Sequence, residues 1–358
     1  MKVRAQNVLA YGAFFAGAVL VGGCILAGDF SRYQKAQLTS IDPADEKKLR
    51  ASFYEYAKQL ETSGNPRDLA VSAFLQVSNH PDRELGTAFA PSAGNIALLK
   101  KALTHGQDDA TLAWLEALDC GWMTDACDKD AGLARLLKLQ PENAAVDFFQ
   151  FNEAHWAGNT EAAWKALANG GNKKYFSLPI DAIGTMYFES LQNWRSPITM
   201  NPGFVFGENA KNIDPLTQDE YRKIEAFGYS IALAIPALQH YSEYCKPAPA
   251  DPGKLLACQK FTTLFATGNT RLSRGLDTNI ALSVFTQSPE KEKWQALRTQ
   301  YQWQFQQYSK LLALDYSIER KYLQQWPGMT EQARLELLLR DNGIALIPPA
   351  DWSLPEQK

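Results

Sequence analysis

Between Val8 and Gly28 the chain runs for 21 residues without a charge, a few residues after Lys2 and Arg4. At 1.5 Å per residue, such a run spans roughly 30 Å as a helix, the thickness of a bilayer's hydrocarbon core. A helix buried in a soluble core would mark its exposed face with polar residues at helical spacing, and none appear here. Residues 1–30 are therefore expected to form a membrane anchor or signal segment, with membrane contact through residues 8–28. Three fates fit it. The segment stays as an uncleaved anchor with its basic head in the cytoplasm. Or it is a lipoprotein signal, in which Val21-Gly22-Gly23-Cys24 resembles a lipobox and Cys24 is acylated, although Ile25-Leu26-Ala27-Gly28 prolongs the apolar run. Or it is cleaved near Ala27, with Ile25 poorly suited to the position three before the cut. Each fate exports the remainder. The favoured localisation is the bacterial inner membrane, single-pass with the bulk in the periplasm; a lipoprotein and a soluble periplasmic protein are the alternatives.

Export decides how the cysteines are read. Of five, Cys24 lies in the apolar run, and four remain as two sequence-local couples, Cys120 with Cys127 and Cys245 with Cys258. An oxidising compartment drives such couples to disulfides. Zinc sites set paired cysteines two to four residues apart and add histidines, whereas six and twelve residues intervene here. Cys-x-x-Cys is absent, so thiol exchange is not expected. No metal and no cofactor are expected.

The 358 residues carry 36 basic and 39 acidic side chains, a near-neutral balance without the footprint of a polyanionic partner. Nucleic acid is not expected. With 46% apolar residues the chain can bury a core. Its pattern is helical from Asp42 onward: Asp42-Pro43 supplies a cap and a first-turn proline, then Leu49, Phe53, Tyr56 and Leu60 recur at three and four before Gly64. Further helices are read over 66–79, 93–106 and 109–121. Thr217 and Glu220 form a capping box for a helix through Tyr229. Ser288-Pro289 opens a helix through Leu314, whose stripe Trp294, Leu297, Tyr301, Phe305, Tyr308 and Leu312 is read as core. Strand signals are nearly missing.

From Leu139, "LQPENAAVDFFQFNEAHWAGNTEAAWKAL" sets Pro141 and Asn143 before a helix beginning at Ala144. Gly158-Asn159 then makes a turn, and Glu161 and Ala163 stand where a second helix packs on the first. This stretch resembles a tetratricopeptide-type helical hairpin. It departs from that pattern at Gln150 and Phe151, where such repeats carry a leucine and then a small residue. The resemblance implies an all-α fold of stacked antiparallel helical hairpins, an irregular α-solenoid of the sort used to bind proteins or peptides. It is similar to uncharacterised exported or membrane-anchored bacterial envelope proteins.

The expected organisation follows. Residues 41–195 form a helical-repeat region with the tetratricopeptide-like hairpin at 139–169, and 196–216 is a loop or boundary. A second helical region covers 217–347, and 348–358 is an extended tail whose Trp352 docks on the helices.

Gly-x-Gly-x-x-Gly, a phosphate loop, His-Glu-x-x-His and Gly-x-Ser-x-Gly are absent, and the Ser-x-x-Lys match at 288–291 lacks its companion Ser-Asp-Asn and Lys-Thr-Gly. Ser92 in "APSAG" and Ser288 in "SPEK" read as caps. Glu153 and His155, two apart, point about 200° away from each other on a helix. With four histidines, at 80, 105, 155 and 240, no metal or triad set is readable. No catalytic residue is assigned. The expectation is a non-catalytic periplasmic protein that binds a protein or peptide of the cell envelope. The alternative is a peptidoglycan-acting hydrolase on a helical scaffold, its acid a carboxyl in apolar surroundings such as Glu153, Glu189 or Glu220.

Overall fold

The structure is a computed structural model that describes residues 42–81, 90–118, 120–121, 123–202, 214–234, 237–314 and 317–353. The 8–28 run and Cys24 lie outside these residues, as does most of the 196–216 stretch. Among the described residues no helix is long and apolar enough to cross a membrane. The described chain is all-helical, without strands, as its three-and-four periodicity requires.

The described residues fall into two compact units. Of the described residues, one takes those from 42 to 139 and from 179 to 234, the other those from 140 to 178 and from 237 to 353. The division thus falls at 139/140, 178/179 and after 234, and the described ends of the 196–216 stretch belong to the first unit. The expected hairpin at 139–169 belongs with the carboxy-terminal helices, not with the helices on either side of it in sequence.

In the first unit, α1 (Pro43–Leu60) begins where Asp42 accepts a bond from the Ala44 amide at 2.8 Å, with Pro43 in the first turn. Its Leu49, Phe53, Ala57 and Leu60 are buried. Gly64, at φ +73°, turns the chain into α2 (Pro66–Ser78), which Asn65 caps. Buried on most of its surface, α2 packs against α1, α3 (Ala93–His105) and α8 (Ile180–Ser190). Ser92 opens α3 with a complete capping box. The Thr217–Glu220 box opens α9 (Gln218–Ala234), the Glu220 carboxylate accepting from the Thr217 amide at 2.8 Å.

Helices α4 (Ala110–Ala117) and α5 (Lys129–Leu139) meet where Gly132 lies against the backbone of Glu116 and Ala117. Their connection contains the Cys120–Cys127 disulfide, Cα atoms 6.0 Å apart. Arg135 straps the pair by donating to the Glu116 carboxylate at 2.7 Å and to the Gly106 carbonyl at 2.6 Å.

In the second unit, α6 (Ala144–Trp156) and α7 (Thr160–Gly170) form the expected hairpin across Gly158, whose φ is +72°. Asn143 accepts from the amides of Ala145 and Ser177 and donates to the Ser177 carbonyl, so one side chain caps α6 and ties down the 171–178 return. Ala144 and Ala163 are fully buried, and the carbonyl of Pro141 accepts from Lys173. The departure at Phe151 has a physical reason. Phe151 joins Phe148, Phe176, Tyr241, Phe261 and Phe265 in an aromatic core that fills the space a small residue would leave. Tyr241 lies on α10 (Gln239–Cys245), and Phe261 and Phe265 lie on α11 (Pro252–Phe265).

Next come α12 (Arg271–Val284), α13 (Glu290–Leu314), α14 (Ser317–Gln324) and α15 (Glu331–Asp341). Ser288 precedes α13 by two residues and bonds the Glu292 side chain. Along the aromatic stripe Trp294 and Tyr308 are buried, while Arg271 lies over the rings of Phe305 and Tyr308, at 5.1 and 4.6 Å from the ring centres. The described part of the tail docks as expected: Trp352 meets Trp303 edge-on at 5.5 Å and donates to Gln306.

Candidate functional site

The site is built at the end of α6 and along α10. His155 and Trp156 occupy the last turn of α6, and His240 and Glu243, three residues apart, share one face of α10. Two residues beyond Glu243, Cys245 is joined to Cys258 of α11, Cα atoms 5.6 Å apart, so α10 is fixed at its carboxy-terminal end. Tyr241, fully buried, bonds Thr262 of α11 and fixes the middle.

This scaffold brings together residues 85 apart in sequence. The imidazoles of His155 and His240 stack with centres 3.9 Å apart and planes 29° off parallel. His240 Nδ1 lies 3.3 Å from Glu243 Oε2. One ligand atom from each of His155, His240 and Glu243 falls within 4.8 Å of the other two. Burial is graded across the three: His240 is buried, His155 partly so, and Glu243 is exposed.

Aromatic side chains surround the group. Tyr244 meets His155 edge-on at 5.7 Å and lies 5.1 Å from Trp164, and Trp156 stands edge-on to His240 at 5.8 Å. Trp156 is 45% exposed, unusual for so large an apolar surface. The Lys254 ammonium lies 5.3 Å from the centre of the Trp164 ring. The result is an aromatic shelf edged by one carboxylate and one ammonium group.

The cysteine couples pair as expected, and two such disulfides suit an oxidising, extracytoplasmic compartment. In the hairpin, Asn143 caps α6, Ala144 and Ala163 are buried, Gly158 makes the turn and Pro141 offers only its carbonyl, to Lys173. The three carboxyls considered for acid catalysis are placed differently. Glu220 is a helix cap, Glu189 is exposed with Arg67 3.6 Å away, and Glu153 is partly buried on α6.

Sequence reasoning missed Glu225, on α9 of the first unit. It accepts a 2.6 Å bond from the hydroxyl of Tyr221, itself buried against Phe53 and Trp194. Burial pushes the Glu225 carboxyl up to about 7, and the Tyr221 hydroxyl lowers it in part. The only signal in the sequence was its place four residues after a core tyrosine.

The raised value has a stability consequence. A carboxyl that holds its proton more tightly folded than unfolded favours the folded state below its unfolded value, and that contribution is lost as pH rises through about 7. Raising the pH from 5.5 to 8.5 should cost about 2 kcal/mol, and Glu225→Gln should flatten that slope; denaturant melts of both proteins at the two pH values check it.

No protein family, curated protein or solved structure matches this chain.

Proposed function

We propose that this protein is a membrane-tethered, periplasmic helical-repeat protein that binds a protein or peptide partner of the cell envelope without chemistry. The observation that supports this reading most is the aromatic group in which half-exposed Trp156 stands on His240, His240 stacks on His155, and His155 meets Tyr244. Tryptophan and tyrosine give large, stiff contact areas at low entropic cost and dominate the energetics of protein interfaces. A hairpin of tetratricopeptide type and a disulfide hold the shelf in place, and the 8–28 run would keep the chain at the membrane. The partner need carry only an apolar side chain to cover Trp156, with opposite charges toward Glu243 and Lys254.

A photo-crosslinking amino acid placed at Trp156 in cells should capture one discrete envelope protein, and the same group at exposed Lys101 should not. Trp156→Ala should weaken the captured complex about 30-fold, a hot-spot loss near 2 kcal/mol, with the melting temperature unchanged. Equal capture at both positions would remove the support.

Glu225 favours a second reading, an envelope hydrolase using a carboxyl that keeps its proton near neutral pH as general acid. Turnover of peptidoglycan fragments by the purified protein, abolished in Glu225→Gln, would replace the binding reading.

A further inference from the structure

We infer that His155, His240 and Glu243 form a binding site for one divalent transition-metal ion of the zinc class. The inference goes beyond the binding function proposed above and does not depend on it.

Donor chemistry comes first. Two imidazole nitrogens and one carboxylate oxygen are a set that zinc, copper and nickel ions take, whereas calcium and magnesium demand more oxygens. Geometry comes second. With bonds of roughly 2.0–2.2 Å in a tetrahedral site, neighbouring ligand atoms lie about 3.3 Å apart. His240 Nδ1 and Glu243 Oε2 are already 3.3 Å apart, and every pair in the set is within 4.8 Å. Binding an ion would turn the two rings out of their 29° stack so that their lone pairs converge.

Support for the ligands comes third. A site holds an ion only if its ligands rest on ordered backbone. His240 and Glu243 stand on a helix bonded covalently to α11 through Cys245–Cys258. His155 stands on the last turn of α6, whose end is closed by the Ala157 amide on the Glu153 carbonyl at 3.0 Å and the Gly158 amide on the His155 carbonyl at 2.9 Å. The burial gradient from His240 to Glu243 sets the opening on the carboxylate side, so a fourth position faces water. Three protein ligands and one open position are the pattern of exchangeable or reactive zinc sites.

The alternative is a packed histidine pair with a surface glutamate beside it, and metal titration separates the two. Full-length protein, stripped with chelator and titrated with zinc chloride in a calorimeter, should bind one ion per chain, and zinc should raise its melting temperature. Glu243→Gln changes an exposed side chain and should weaken zinc binding by about tenfold or more, with the zinc-free melting temperature unchanged. His155→Gln should weaken it further. His105→Ala, an exposed histidine of α3, should bind as the parent does, and magnesium should not compete. Should His240→Ala fail to fold, the Glu243 and His155 variants still decide. No stoichiometric zinc uptake, or uptake equal in the parent, Glu243→Gln and His155→Gln, would overturn the site.

Discussion

Gly132→Ala should destabilise the protein by about 2–3 kcal/mol, although alanine is the better helix former by about 1 kcal/mol. Helix α5 crosses α4 at this residue with no room for a side chain. A β-carbon at 132 would stand 2.8 Å from the carbonyl carbon of Glu116 and 3.0 Å from the Cα of Ala117, with the Ala117 amide nitrogen closer still. Those are backbone atoms of a buried helix, so no rotamer change relieves the overlap and the helices must separate. Separation would pull Arg135 from Glu116 and Gly106, and the Cys120–Cys127 bridge limits how far the connection can follow. The same substitution at Gly275, in α12, meets nothing within 4 Å and should be neutral or slightly stabilising. Urea melts of the two variants, read by far-ultraviolet circular dichroism, should put Gly132→Ala well below the parent and Gly275→Ala level with it or slightly above. Equal shifts would show that α4 and α5 are not in close contact.

What the sequence makes legible here is local. Asp42-Pro43, Ser92, Thr217 with Glu220, and Asn143 with Gly158 each act on backbone groups within a few residues, and each opens or turns a helix where its spacing says. The cysteine couples are legible for the same reason, since each bridges a short span. The grouping of His155 with His240 is not. It depends on α10 packing beside the end of α6, a contact across 85 residues that no periodicity encodes. Glu225 is hidden likewise: its raised carboxyl value comes from burial, and α9 carries glutamates on more than one face. The unit boundaries at 139/140 and 178/179 were also out of reach, because the α6–α7 hairpin has the same local pattern whichever helices it packs against.

Packing of that hairpin leads to the largest effect expected in the molecule. Phe148→Ala should cost about 4 kcal/mol, in the middle of the range for an aromatic side chain deleted from a core. Phe148 is fully buried, and its ring touches those of Phe151, Phe176, Tyr241, Phe261 and Phe265 at centre distances of 5.7–6.1 Å. Removing it leaves a cavity whose walls are flat, stiff rings, and rings of that kind collapse inward less readily than leucines. The loss should propagate to the site, because Tyr241 shares α10 with His240 and Glu243, and its hold on Thr262 depends on the ring stack beside it. Hydrogen exchange should therefore accelerate in α6, α7, α10 and α11 together, and zinc affinity should fall although no ligand has changed. Phe148→Leu, which refills most of the volume, should recover more than half of both losses. A Phe148→Ala variant that melts like the parent, with α10 amides still protected, would mean that the aromatic cluster is not what holds α10 against the hairpin.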